Sequence, residues 1–178
     1  GDHRDLHSFP TRRSSDLMQH IVKKNWVTGS DQQIDFYDLL KLTREYLLKG
    51  SKIFIGSDSF ISRDKVCFAS AVCLHGGEKG GRYFFYKDFL PKPQYSQLVA
   101  RITEETRRSV EIACLFMDEY NIGPHNIELH LDVSPFGTNN GTSKYSDMLK
   151  GYVQGFGVDY RLKPDAWASQ TIADKHSK

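Results

Sequence analysis

Cysteine is scarce in this chain: Cys67, Cys73 and Cys114 are the only three in 178 residues. An odd number without metal-like spacing argues against a disulfide scaffold and against a thiolate metal site. Cys67 and Cys73 lie in an apolar, strand-like run, where a buried reduced thiol is the ordinary reading. Long hydrophobic runs are absent as well, since none approaches the roughly 18 residues that a membrane span needs. No signal-peptide pattern follows Met18, because Lys23 and Lys24 lead into polar residues. These absences lead us to expect a cytoplasmic protein with no membrane partner. There is no GxxxxGK[ST] phosphate loop, which argues against a P-loop nucleotidase. The net charge of +2 is too mild to argue for nucleic acid by itself. Repeats, low-complexity segments and a second-domain linker are also lacking.

The first stretch stands apart from the rest. Phe9-Pro10-Thr11-Arg12-Arg13-Ser14-Ser15-Asp16-Leu17 resembles the conceptual translation of a short-read sequencing adapter, and Met18 follows it directly. Residues 1–17 are therefore expected to be non-native and unpacked; a polar native tail would be equally unpacked. Removing them takes away three arginines and three aspartates and leaves the net charge at +2. Residues 18–50 read as an N-terminal extension with a helix, and 51–178 as one domain with enough chain for a core.

Helical spacing over Ile34–Leu48 ends at Gly50. Lys52–Gly56 is a short continuous apolar run of the kind a central strand shows. Val66–Leu74 and Arg82–Leu90 are strands joined by a Gly-rich connection, hence antiparallel. Tyr95–Tyr120 is the longest helix, with Ile102, Thr106, Val110, Ala113 and Met117 on one stripe. Ile127–Val133 alternates as a strand, 134–141 is a polar loop, Lys144–Phe156 is a shorter helix, and Val158–Leu162 is a last strand. A closing helix begins at Ala166. The expected class is α/β, with a mixed five-stranded sheet in the order βββαβαβα and an extra N-terminal helix.

Carboxylates fall at informative points of this pattern. Asp58 follows the first strand, where a buried strand end opens into a cleft; an Asp that terminates a strand and caps a turn is the plainer alternative. In Leu129-His130-Leu131-Asp132-Val133 the period of two puts His130 and Asp132 on the face opposite the leucines. For His130, a helix-covered ring with a hydrogen-bond partner is preferred over a metal ligand. On the long helix Glu105 lies about 100° from the stripe centre at Thr106, while Glu104 and Glu111 fall nearly opposite and are expected in solvent. Glu105 can lean over a sheet edge, or simply pair with Arg101. Asp165 follows Pro164 at an expected N-cap. It shares a helical face with Ser169, Ile172 and His176, while Asp174 points the other way. Trp167 reads as packing.

The order of three strands, helix, strand, helix, strand, helix resembles the ribonuclease H-like fold. That fold draws carboxylates from the first strand, first helix, fourth strand and last helix, which here implies Asp58, Glu105, Asp132 and Asp165. Four such acids imply two Mg²⁺ or Mn²⁺ ions serving phosphodiester hydrolysis of RNA or DNA. More narrowly, the chain resembles the YkuK-like family of bacterial ribonuclease H-like proteins, whose function is not established. The resemblance rests on Ile55-Gly56-Ser57-Asp58-Ser59, His130-Leu131-Asp132, Gly151-Tyr152-Val153, and Lys163-Pro164-Asp165-Ala166-Trp167-Ala168 running to Ala173-Asp174-Lys175-His176-Ser177-Lys178. It departs from the family at Phe60, where a polar Gln is expected, which would alter the mouth of the site. Ser59, His130, Lys163, Ser169 and His176 are secondary site candidates. Arg101 and Lys144, with Arg107, Arg108, Arg161 and Lys163, are candidates for phosphate binding, although charged helix faces are commonly only solvated. A non-catalytic nucleic-acid- or protein-binding module that keeps the fold is the alternative; four converging acids without metal would repel one another, which weighs against it.

Overall fold

The computed structural model describes residues 18–135, 137 and 141–178. The stretch 1–17, expected to be non-native, and part of the polar loop 134–141 lie outside the described residues. One mixed sheet forms the centre, with strands β1 (Val27–Thr28), β2 (Lys52–Ile61), β3 (Lys65–His75), β4 (Arg82–Pro91), β5 (Ile127–His130) and β6 (Asp159–Arg161). Their spatial order is β1-β4-β3-β2-β5-β6. β2, β3 and β4 are antiparallel neighbours, whereas β5 and β6 run parallel to β2 and to each other. The α/β class and the ribonuclease H-like strand order expected from the sequence are present. The sixth strand was not expected. β1 is two residues long, too short for any period to register, and it adds to the sheet edge by pairing with β4.

Helices α1 (Phe36–Leu48), α2 (Leu98–Cys114) and α3 (Ser146–Gln154) pack on one face of the sheet. Asp35 caps α1 by accepting from Tyr37 N–H, and Gly50 ends its exit with φ of 87°. The long helix is segmented: a 3₁₀ turn over Lys92–Tyr95 precedes α2, and π turns over Leu115–Glu119 follow it. Phe36, Leu39, Ile102, Val110 and Val153 close the main core against Ile53, Ile55, Val72, Phe84 and Leu129. The closing helix covers the other face as π turns over Ala168–Ala173 and a short α4 (Asp174–Ser177). It seals a smaller core of Ala71, Cys73, Phe85, Ala168 and Ala173, with Trp167 packed beside Phe54 and His130.

Two boundaries differ from the sequence reading in a way that shapes the site. β2 does not stop at Gly56 but runs to Ile61, because β3 continues to pair with it as far as Ile61↔Val66. Asp58 is therefore inside a strand, opposite Ala69, and not in a turn after one. β5 is shorter than expected, and its pairing with β2 ends at Gly56↔His130. Beyond that pair β2 keeps β3 on one side while β5 turns away. The departing chain stays tied to β6: Leu131 N–H donates to Arg161 O, and Lys163 N–H to Val133 O.

Gly56 marks the closest approach of the closing helix to the sheet. A Cβ there would lie 2.4 Å from Ser169 N and 2.6 Å from Ala168 C, both backbone atoms that cannot turn aside. Gly56→Ala should therefore lift the closing helix and cost about 3 kcal/mol or more. Gly151→Ala should instead stabilise by about 0.5–1 kcal/mol, since it sits in α3 with open space around it. Thermal and urea melting of the two variants checks this contrast in sign.

Candidate metal centre

Asp58, Glu105 and Asp132 converge where β2 and β5 part. Each offers a carboxylate oxygen, and the three oxygens lie within 4.8 Å of one another. The two layers supply them together. Along β2, Ser57 and Ser59 turn toward α2, while Gly56 and Asp58 face the closing helix. Ser59 Oγ donates to Glu105 Oε1 at 2.5 Å. One helical turn along α2, Ser109 Oγ donates to Ser57 Oγ at 2.9 Å, and the Ser57 and Ser70 hydroxyls bond at 2.8 Å. These buried contacts fix the register of α2 on β2 and hold Glu105 over the strand. On the opposite face Ser177 Oγ donates to Asp58 Oδ2 at 2.7 Å. Asp132 emerges just past the end of β5, and the backbone bonds to β6 bring Lys163 Nζ to 2.8 Å from its Oδ1.

The group is electrostatically uncomfortable. Asp58 and Glu105 are each only 7% exposed. Burial, together with the charges of Asp132 and Asp174, pushes the Asp58 carboxyl up to about 7 against the Ser177 hydrogen bond. Glu105 is pushed well above the usual range, first by burial and then by Asp58, with Ser59 and Arg101 opposing. Without a cation both groups therefore tend to hold protons, which is the behaviour of carboxylates gathered for a hard positive ion.

The fourth acid expected here is elsewhere. Asp165 is exposed in the turn before the closing helix, with its N–H bonded to Leu162 O, and it is not among the three that converge. Asp174 stays outside the group of three, yet its charge reaches Asp58. Asp165 stands apart because the closing helix begins only at Trp167 and leaves it in the preceding turn, whereas π turns over Ala168–Ala173 take five-residue steps and rotate the later residues away from their α-helical positions. Ser177 was missed because of that rotation. The Asp174–Ser177 stretch within the C-terminal motif was the available signal.

The other candidates lie outside this group of three and have partners of their own. His130 is fully covered. Ala168 N–H donates to its Nδ1 at 3.0 Å, so the proton of the neutral ring sits on Nε2 and bonds Glu128 Oε1 at 2.9 Å. Ser169 Oγ closes a turn on Ala166 O. His176 stacks on Phe85 with ring centres 3.6 Å apart and bonds the Tyr83 hydroxyl. Glu104 is not in solvent as expected: it binds Arg107 and Arg108, and Arg108 continues to Asp88 and through it to Lys24. Arg107 also pairs with Glu111. Arg101 donates to the carbonyls of Tyr95 and Ser96, Arg161 reaches Glu128, and Lys144 lies over the Tyr145 ring.

A family model described as ribonuclease H-like matches residues 36–178. The chain belongs to this family. It is also similar to the uncharacterized protein YkuK of Bacillus subtilis (strain 168), 24% identical over 166 residues that cover 84% of this chain and 94% of that protein. No solved structure gives a significant match. Within this ribonuclease H-like protein, the strand, helix and strand-end acids Asp58, Glu105 and Asp132 make up a group compatible with a metal site.

His130 gives the site a pH dependence of known sign. Burial holds its imidazole below the usual 6.5. The stability that the neutral ring contributes is therefore complete above pH 6.5 and is lost as pH falls through 6.5 toward the lowered folded value. A charged ring would also turn an Nδ1 proton against Ala168 N–H. The wild type should lose more stability between about pH 8 and about pH 5.5 than His130→Asn, whose amide oxygen keeps an acceptor for Ala168 but does not titrate. Urea melts at the two pH values check this; parallel losses would remove His130 as the cause.

Proposed function

We propose that this protein is a metal-dependent nuclease that hydrolyses phosphodiester bonds in RNA or DNA. The observation that carries the reading is the convergence of Asp58, Glu105 and Asp132 in a ribonuclease H-like fold. The donor set fits Mg²⁺ or Mn²⁺: three carboxylates, no thiolate, and two acids whose protons a cation would displace. Bound among them, such an ion would polarise a phosphodiester oxygen and lower the pKa of an attacking water. Ser59 and Ser177 orient Glu105 and Asp58, and Lys163 supplies countercharge to Asp132. A second ion would need a further acid beside these three. Nucleic acid as the partner is inferred by analogy with the fold family. No helix among the described residues is long and apolar enough to cross a membrane.

Labelled RNA, DNA and hybrid duplexes incubated with Mg²⁺ or Mn²⁺ should be cleaved by the purified protein, and EDTA should stop the reaction. Asp58→Asn and Asp132→Asn should each lower the rate by at least about a hundredfold. Ser177→Ala should cost about tenfold, and Asp165→Asn should change little. Cleavage that survives EDTA, or equal rates in Asp58→Asn and Asp165→Asn, would contradict the proposal. Binding of these substrates without any cleavage would favour the non-catalytic module.

Occupancy should also be visible in stability. Asp58→Asn removes a group that resists ionisation when buried, so the metal-free variant should melt at or above the wild-type temperature near neutral pH. Metal should raise the wild-type melting temperature more than the variant's, because a ligand that binds only the folded state stabilises it. Equal responses in both proteins would remove the cluster as the binding site.

A further inference from the structure

The closing helix reaches the row of Asp58 with Ser177, and the next row of the same sheet face carries two bare aromatic rings. Phe60 on β2 and Phe89 on β4 both pair with Cys67 of β3, so the three side chains form one line across the sheet. Phe60 is 44% exposed and Phe89 is 63% exposed, while Cys67 between them is buried. The alternation that sends Asp58 to this face sends Phe60 there too, about 7 Å further along the strand. The two rings stand roughly 10 Å apart, across two strand spacings.

Cations flank this line on both sides. Lys87 is exposed and lies in the row of Asp58, through Asp58↔Ala69 and Ala69↔Lys87. The alternation along β4 that puts Phe85 in the core under the closing helix puts Lys87 and Phe89 on this face as well. Lys65, two residues before Cys67 and exposed, lies beyond the rings on the other side. A monomer gains nothing from two phenyl rings in water on an open sheet face, and positive charge beside them selects an anionic partner with flat apolar groups. An antiparallel sheet with exposed rings on its strands is a platform on which unpaired bases stack, while lysines meet the phosphates.

We propose that a single-stranded nucleic acid lies across this face, its bases stacked on Phe60 and Phe89 and its backbone held by Lys87 and Lys65. The path leads one row further to Asp58. The inference rests on the nuclease reading for its purpose and narrows the substrate class to unpaired strands. A duplex keeps its bases stacked inside and cannot present their faces to the rings.

The test is fluorescence anisotropy with labelled oligo-U and oligo-dT of roughly a dozen nucleotides, in EDTA so that no cleavage intervenes. Phe60→Ala and Phe89→Ala should each weaken binding about fivefold or more, and Phe60→Tyr should keep most of it. Leu48→Ala, a change of a still more exposed apolar side chain on α1, should bind as the wild type does. Lys87→Ala should weaken binding and flatten its salt dependence. Circular dichroism confirms that each variant is folded. The inference is overturned if both Phe variants bind like the wild type, or if duplexes of the same length bind as tightly as single strands. It is also overturned if the wild type binds neither strand while the Phe variants lose self-association in sedimentation, which would make the stripe an interface between copies. Intact binding without metal-dependent cleavage would instead strike the nuclease reading and leave the platform standing. Cleavage that continues while binding ignores Phe60 and Phe89 would do the reverse.

Discussion

The candidate site depends on one event in the sheet: the β2–β5 ladder stops at Gly56↔His130 while β2 continues beside β3. A sheet normally keeps its two faces apart. Where two parallel neighbours part, side chains from both layers reach the same space. Glu105 arrives from α2 on one side, and Asp58 and Ser177 meet on the other. Asp132 enters from the diverging chain itself, held by the backbone bonds to β6 that also deliver Lys163. Gly56 belongs to the same construction, because the closing helix crosses the sheet at the last paired residue and leaves no room for a Cβ.

This arrangement concentrates negative charge in a place poor in water. The protein supports the acids with hydroxyl donors and one ammonium group, but burial still raises Asp58 and Glu105 well above ordinary carboxylates. Unpaired buried acids are an expense to stability. The surrounding frame is correspondingly firm: the Ser57, Ser70 and Ser109 hydroxyls lock α2 onto the sheet, and the Glu104–Arg108–Asp88–Lys24 ion-pair chain ties it to β4 and the N-terminal segment. Mutual repulsion held in a rigid frame is what a divalent cation relieves.

Much of this was legible in the sequence. The period of two around Asp132 and the helical stripe through Ile102, Thr106 and Val110 are long, regular patterns, and they located Asp132 and Glu105 correctly in space. Asp58 belongs with the expected strand but lies inside it and not just past its end, because the apolar run stops at Gly56 while β3 goes on pairing with Ser57, Asp58 and Ser59. Glu104 was expected in water because a helical wheel carries no knowledge of the basic partners that tertiary packing brings to it. Asp165 lies in the turn before the closing helix, which begins at Trp167, and Asp174 stays outside the group of three as the helical wheel implies, so what the wheel misses is Ser177 on Asp58. The 3.6-residue period does not hold through π turns, and nothing in Ala168–Ala173 announces them. β1 escaped because two residues carry no period.

The most direct test of the metal centre is diffraction from crystals grown with Mn²⁺ and measured for manganese anomalous scattering. A peak is expected in contact with the carboxylates of Asp58, Glu105 and Asp132, absent from crystals of Asp58→Asn prepared in the same way. Manganese bound elsewhere on the protein, with no density among these three side chains, would contradict this assignment.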